Sequence, residues 1–115
     1  MSQTAEDLYD KAVDHVAEGD LDAAIAAYRA AIAADESFAD AWEGLSMALT
    51  DQERYAEAIE AAHRVVELTP AEQLAFTNLS RIYMRADEIE KAEEWAAKGR
   101  ILEWKRQLKE SEGGD

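Results

Sequence analysis

Two histidines, His15 and His63, are the side chains of this chain best suited to proton transfer near neutral pH. His15 falls on the inner face of the first predicted helix, where packing is favoured over a functional role. His63 falls at a helical position that we expect to be exposed, and neither histidine has an obvious partner in the sequence. The histidines therefore do not predict an acid–base pair.

Carboxylates are abundant, and the pairs Asp35–Glu36 and Glu93–Glu94 raise the question of metal binding. Adjacent residues on a helix diverge by about 100°, however, and a calcium loop needs spaced ligands with a glycine, which is missing here. The sequence also lacks a glycine-rich phosphate loop and the G-x-S-x-G and H-E-x-x-H motifs, and it has no cysteine. We predict no catalytic residue, no metal and no cofactor, and hence no enzyme.

The composition favours long helices. The 115 residues include five glycines and one proline and are rich in Ala, Glu and Leu, which predicts a single all-α domain. The acidic N-terminus does not resemble a secretory signal, and no stretch approaches the ~18 apolar residues of a membrane helix. We therefore expect a cytoplasmic protein that does not bind membranes.

Negative charge is concentrated in the first half of the chain. The net charge is −14, and residues 1–63 contain fifteen acids and three bases, whereas residues 64–115 contain eleven acids and nine bases. This field disfavours nucleic acid as a partner and favours a basic partner protein. The simpler alternative is that the acidity keeps the chain soluble.

Apolar periodicity predicts six helices, near residues 5–18, 21–34, 39–52, 56–68, 71–85 and 88–110. Five residues are predicted to accept hydrogen bonds at helix starts: Thr4, Asp20, Ser37, Thr69 and Asp87. Within 69–72, a threonine is followed by a proline and a glutamate, which is typical of a capped helix start.

An internal repeat of 34 residues organises these helices. Ala24, Ala58 and Ala92 are spaced by 34, and the same register aligns further small and bulky residues. The aligned sets are Ala12, Ser46 and Ser80; Leu8, Trp42 and Phe76; and Leu21, Tyr55 and Ile89. Small residues where helices cross, with bulky residues beside them, predict one helical hairpin per repeat. Because Trp42 belongs to the middle hairpin, we expect Trp42→Ala to destabilise the fold by ~3–5 kcal/mol.

The middle copy resembles the tetratricopeptide repeat (TPR) through Trp42, Leu45, Ser46, Leu49, Tyr55, Ala58, Ala62, Val65 and Pro70. The resemblance implies an α–α superhelix with repeats at 5–38, 39–72 and 73–106, a tail at 1–4, and a helix end with a disordered tail at 107–115. Four residues depart from the family pattern: Leu8, Lys11, Glu36 and Trp104. Lys11 is tolerable because the first repeat has no preceding neighbour.

The resemblance further implies a concave groove, lined by the first helix of each repeat, that binds a peptide or helix of a partner protein. The groove positions carried over are Glu6, Tyr9, Asp10, Val13, Asp40, Glu43, Gly44, Met47, Leu74, Thr77, Asn78, Arg81 and Arg85. The carboxylate clamp of chaperone-binding relatives is absent, because Tyr9, Val13, Gly44, Leu74 and Asn78 occupy its places. A ligand of mixed charge with apolar side chains is predicted; the alternative is that these faces are merely solvated.

The last helix predicts a second interface. Its apolar residues exceed what one hairpin can bury, and those assigned to possible self-association are Trp95, Ile101, Leu102, Trp104 and Leu108. A homodimer would cover this surface. The alternative is a helix that tolerates exposed Trp104 because neighbouring lysines and arginines keep it soluble.

Overall fold

A computed structural model describes residues 3–113, and residues 1–2 and 114–115 of the two predicted tails lie outside them. The described residues form six helices: α1 Ala5–Ala17, α2 Leu21–Ala34, α3 Ala39–Asp51, α4 Tyr55–Leu68, α5 Gln73–Arg85 and α6 Ile89–Gly113. The predicted all-α fold is confirmed. Within 3–113, no helix has the length and apolar character needed to cross a membrane.

The helices pack as three successive hairpins, α1 with α2, α3 with α4, and α5 with α6. Each second helix also packs against the first helix of the next hairpin, so that α2 contacts α3 and α4 contacts α5. The resulting stack is elongated, with extents of 51 × 36 × 21 Å. Each hairpin therefore covers apolar surface on its neighbour, as expected of a repeat array.

The three hairpin turns share one backbone conformation at the 34-residue spacing. Gly19, Glu53 and Asp87 have positive φ angles of 80°, 60° and 63°. The residue that follows each of them, Asp20, Arg54 or Glu88, donates its backbone N–H to the carbonyl five residues earlier, at 2.9 Å. The prediction that Asp87 caps α6 is therefore wrong: Asp87 occupies the left-handed turn position, and α6 begins only at Ile89.

Two predicted helix caps are present. The Thr4 hydroxyl accepts from the Asp7 N–H at 3.1 Å, with the Asp7 carboxylate accepting from the Thr4 N–H in return. Asp20 accepts from the Ala23 N–H at 3.1 Å. Both side chains satisfy backbone donors that a helix start leaves free.

The caps predicted at Ser37 and Thr69 are wrong. Ser37 bonds to the Asp35 carboxylate, and Phe38 precedes α3 without a side-chain cap. Thr69 ends α4 rather than starting α5, since its hydroxyl donates to the Val65 carbonyl at 2.6 Å. Pro70 follows this helix end, and α5 begins at Gln73.

The small residues of the repeat lie at the buried helix crossings. Ala12, Ala24, Ala58 and Ala92 have no exposed surface. In the third hairpin the Ser80 hydroxyl donates to the Ala92 carbonyl at 2.6 Å, which joins α5 directly to α6. Close helix approach thus depends on alanine or serine at these positions.

Charged residues cover both ends of the stack. Positions 34 and 68 residues after Asp7, Lys11 and Asp14 are buried apolar residues on α3 and α5, whereas these three side chains of α1 are exposed. Glu93 and Arg100 of α6 are likewise exposed where the register places apolar residues on α2 and α4. The two outer faces of the described stack therefore carry charge at positions where its internal faces are apolar.

Candidate functional site

An open cleft of about 350 Å³ lies between α3 and α5. Its lining residues are Glu43, Ser46, Met47, Thr50, Asp51, Leu74, Asn78, Arg81, Ile82 and Arg85. The structure thus brings together six of the groove residues predicted from the sequence: Glu43, Met47, Leu74, Asn78, Arg81 and Arg85. We call this feature the α3–α5 cleft.

Two apolar side chains stand exposed at the α3–α5 cleft. Met47 of α3 and Leu74 of α5 are each 60% exposed, which is unusual for large apolar residues. Methionine adapts its shape readily to a bound apolar group. The pair therefore offers an apolar contact surface between two helices that the fold holds in place.

A hydrogen bond crosses between the two helices. The Asn78 amide donates to the Glu43 carboxylate at 2.8 Å, and both residues are half-buried. The hydroxyl of Ser46 donates to the Glu43 carbonyl, one turn below, at 2.7 Å. One Asn78 donor is thereby occupied within the protein, and the hydrogen bond links α3 directly to α5 at the cleft.

Charge is separated along the groove. An adjoining cleft of about 260 Å³ is lined by Asp40, Glu43 and Glu72, and it shares Leu74 with the α3–α5 cleft. Arg81 and Arg85 line the α3–α5 cleft together with Glu43 and Asp51, and neither arginine makes an ion pair within residues 3–113. The groove can therefore attract both a cation and an anion of one ligand.

The first hairpin contributes an acidic, aromatic surface. Tyr9 packs against the rings of Tyr28 and Phe38, at centroid distances of 5.9 and 5.3 Å. Burial raises the pKa of Tyr9, and the nearby carboxylates of Asp40, Glu43 and Asp10 raise it further. Three carboxylates therefore lie near Tyr9 and make this part of the groove acidic.

Other predicted groove residues take different positions. Val13 is 42% exposed and Thr77 is exposed, but neither lines the α3–α5 cleft, and the Thr77 hydroxyl bonds to its own helix at Gln73. Glu6 lies at a separate surface cleft near Phe38. Gly44 contributes backbone only, because the Tyr28 ring fills the space that a side chain would need.

Four lining residues were not predicted from the sequence: Ser46, Thr50, Asp51 and Ile82. Thr50 lies three residues after Met47 and so shares its helix face, which is a signal that the sequence contains. Ser46 and Ile82 are buried residues that reach the cleft floor. The sequence predicts such residues as part of the core, and only the structure shows that they also line the cleft.

The sequence predicts that His63 is exposed and has no partner. The structure differs on both points. His63 is half-buried, and its Nε2 lies 2.6 Å from the Tyr83 hydroxyl. Burial lowers its pKa; Lys98 and Lys91 act in the same direction, and Glu67 opposes them. The contact joins α4 to α5 over a separation of 20 residues, which local sequence patterns do not reveal.

His15 is half-buried, in agreement with its predicted packing role. Its Nδ1 is buried, lies 4.0 Å from the Glu18 carboxylate, and has no hydrogen-bond partner among residues 3–113. Within the described residues, no group of three or more His, Asp or Glu side chains is arranged to hold a metal ion.

The residues predicted for self-association divide into two sets. Trp95 belongs to the protein interior, since its ring packs against those of His63 and Phe76 at 5.0 and 5.9 Å, and Leu102 is half-buried. Ile101, Trp104 and Leu108 are 51%, 59% and 42% exposed. Trp95 is half-buried on the side of α6 that faces α4 and α5, whereas Ile101, Trp104 and Leu108 form the exposed part of the predicted set.

Comparison with known proteins agrees with this architecture. The profile of the tetratricopeptide repeat family matches residues 9–73 and 51–101. The chain therefore belongs to the tetratricopeptide repeat family, whose members are generally interaction modules without catalytic activity. A comparison with curated proteins gave no significant match.

Solved structures share the fold. A crystal structure of MamA superposes with a TM-score of 0.87 at 24% identity, covering 91% of this chain and 57% of that one. The second TPR domain of Spaghetti (RPAP3), bound to the HSP90 peptide SRMEEVD, gives 0.78 at 23% identity, covering 87% and 93%. YrrB, described as a TPR protein with an unusual peptide-binding site, gives 0.80 at 22% identity, covering 88% and 52%. The chain thus spans little more than half the length of the MamA and YrrB structures.

Proposed function

We propose that this chain is a protein-interaction module that binds a peptide or helical segment of a partner protein along α1, α3 and α5. The observation that carries the proposal is the α3–α5 cleft, where exposed Met47 and Leu74 lie beside Arg81 and Arg85. The Spaghetti and YrrB structures, whose descriptions name a bound peptide and a peptide-binding site, support the same use of this fold.

The charges of the groove define a ligand of mixed charge. A basic part of the ligand would lie over the carboxylates of Asp10, Asp40 and Glu43, which also surround Tyr9. Its apolar side chains would contact Met47 and Leu74, and a carboxylate would face the two arginines. A tail carrying only carboxylates fits poorly, because the acidic part of the groove would repel it.

The proposal is tested by selecting peptides from a displayed random library on the purified chain and measuring their affinity by calorimetry. Reversal of both arginines, Arg81→Glu with Arg85→Glu, should weaken binding by at least about tenfold. A control with the same change in net charge, Lys11→Glu with Lys91→Glu, should bind as the unmodified chain does. Equal affinity in both double variants would contradict use of the groove.

A second candidate function is self-association through α6. It is favoured by the exposure of Ile101, Trp104 and Leu108 on a helix of 25 residues, whose hairpin partner α5 has 13. A dimer would remove this apolar surface from water, but it would also bring Lys98, Arg100 and Lys105 of the two copies close together, which opposes it. Light scattering at micromolar concentration tests this function, and a strictly monomeric mass would contradict it.

A further inference from the structure

One face of α6 carries an apolar stripe of four residues, in which Ala97 is half-buried and Ile101, Trp104 and Leu108 are exposed. The spacings of four, three and four residues place these side chains on one side of the helix, as in the seam of a coiled coil. Ile101, Trp104 and Leu108 are between 42% and 59% exposed. We call this surface the α6 stripe.

The α6 stripe faces away from the rest of the protein. Gly99, which is buried, marks the side of α6 that contacts α5, because a Cβ there would lie 3.1 Å from Phe76. Ile101 follows two residues later and is therefore rotated by about 200° around the helix axis. None of the stripe residues lines the pocket between α6 and residues 71–74, to which α6 contributes Leu102, Glu103, Lys105, Arg106 and Lys109.

The surroundings of the α6 stripe are basic, although the protein is acidic. Residues 97–109 contain five bases and one acid, against a net charge of −14 for the chain. Arg106 is paired with Glu103 and Glu110. Arg100, Lys105 and Lys109 make no ion pair with any residue between 3 and 113.

These bases occupy the positions that select a partner helix. In the heptad defined by Ile101, Trp104 and Leu108, the residues Lys98, Arg100 and Lys105 border the seam on its two sides. Two copies of α6 paired along the stripe would bring these cations together, which is unfavourable. An anionic lipid surface would be repelled by the −14 charge of the protein.

We infer that the α6 stripe is a docking surface for an acidic amphipathic helix of another protein. Such a helix would bury its apolar side chains against Ile101, Trp104 and Leu108 and place glutamates or aspartates beside Arg100 and Lys105, since Lys98 is already paired with Glu94. This surface is separate from the α3–α5 cleft, so that both can be occupied at once. The inference does not depend on the proposed groove function.

The inference is tested with a synthetic helix of about three heptads that carries Leu at both seam positions and Glu at both bordering positions. Its binding to the full chain is measured by calorimetry. A matched peptide with Lys in place of Glu should bind at least about tenfold more weakly. Trp104→Ala should weaken binding of the Glu peptide by at least about tenfold, since tryptophan often dominates an interface.

Charge reversal separates docking from nonspecific attraction. Arg100→Glu with Lys105→Glu should weaken binding of the Glu peptide by about tenfold and strengthen binding of the Lys peptide. Lys11→Glu, at the other end of the stack, should leave both affinities unchanged. Circular dichroism of each variant confirms that the helical fold is retained.

Three results would overturn the inference. The first is equal binding of the Glu and Lys peptides. The second is a dimer of the chain alone that Trp104→Ala dissociates. The third is binding of anionic lipid vesicles to the chain through Trp104 without binding of the Glu peptide. The second result would assign the stripe to a second copy, and the third to a membrane surface.

Discussion

The ring of Tyr28, on α2, lies directly against the backbone of Gly44, on α3. A Cβ at position 44 would overlap the Tyr28 ring, so the first two hairpins approach closely only because residue 44 is a glycine. We expect Gly44→Ala to destabilise the fold by about 1–3 kcal/mol through overpacking, although alanine favours helix more than glycine does. The free energy of unfolding is measured by urea denaturation.

The matched control for this substitution is Gly113→Ala. A Cβ at Gly113 would have no neighbour within 4 Å, so this change should leave the free energy of unfolding almost unchanged. A combined Gly44→Ala and Tyr28→Leu variant should lose less stability than the sum of the two single changes. Additive losses would show that the contact does not limit the approach of α2 and α3.

The left-handed turn positions give a paired prediction. Glu53→Gly should stabilise the protein by about 1 kcal/mol, because glycine adopts positive φ without the strain of a side chain. Gly19→Ala should destabilise it by a similar amount, through the backbone alone, since the space around Gly19 is open. Thermal unfolding measures the stability of both variants. If both were more stable than the unmodified chain, or both less stable, the prediction would be contradicted.

The sequence predicted the helices and their pairing because the 34-residue register recurs three times. Local capping signals were less reliable, since a threonine such as Thr69 can end one helix as readily as it starts another. The turn at Asp87 shows the same ambiguity: aspartate caps helices but also tolerates the left-handed conformation. Asp87 occupies the same position of the 34-residue repeat as Gly19, and glycine favours the left-handed conformation. This equivalence was the signal in the sequence that favoured a turn over a helix cap at Asp87.

Two tryptophans provide a contrast in stability. Trp42 is half-buried, and its Nε1 donates to the Glu36 carbonyl at 2.8 Å, whereas Trp104 is 59% exposed. We expect Trp42→Ala to reduce the free energy of unfolding by about 3 kcal/mol, the lower end of the sequence-based range, because burial is partial. Trp104→Ala should change it by less than about 0.5 kcal/mol. If urea denaturation showed the same loss of unfolding free energy in both variants, the burial of Trp42 or the exposure of Trp104 would be contradicted.

The contact of His63 with Tyr83 predicts a pH dependence. Burial lowers the pKa of His63 below 6.5, so the folded state binds its proton less readily than the unfolded state. The stability that neutral His63 contributes is complete well above pH 6.5 and is lost progressively as the pH falls through that value. Urea denaturation should therefore show a larger loss between pH 8 and pH 5 in the unmodified chain than in His63→Gln.

The two proteins differ only at residue 63, so the comparison isolates the contribution of His63. Equal losses in the two proteins would show that the environment of His63 does not favour its neutral form. A larger loss in His63→Gln would contradict the sign of the predicted effect.

The candidate groove was only partly predictable. Exposed residues on first helices, such as Met47 and Arg81, follow from the repeat register, because equivalent positions share one face of the stack. The hydrogen bond between Glu43 and Asn78 joins separate hairpins and depends on rotamers that the register does not determine. On α6, helical periodicity alone could not establish that Trp95 turns inward while Trp104 turns outward, since the direction of the hairpin contact was unknown.

The most direct measurement of the central claim is nuclear magnetic resonance of the labelled chain titrated with a library-selected peptide. Binding in the groove predicts that the largest amide shift changes occur at Met47, Leu74, Asn78, Arg81 and Arg85, with small changes on α2 and α4. Changes confined to α2, α4 or the α6 stripe, with those five amides unaffected, would contradict it.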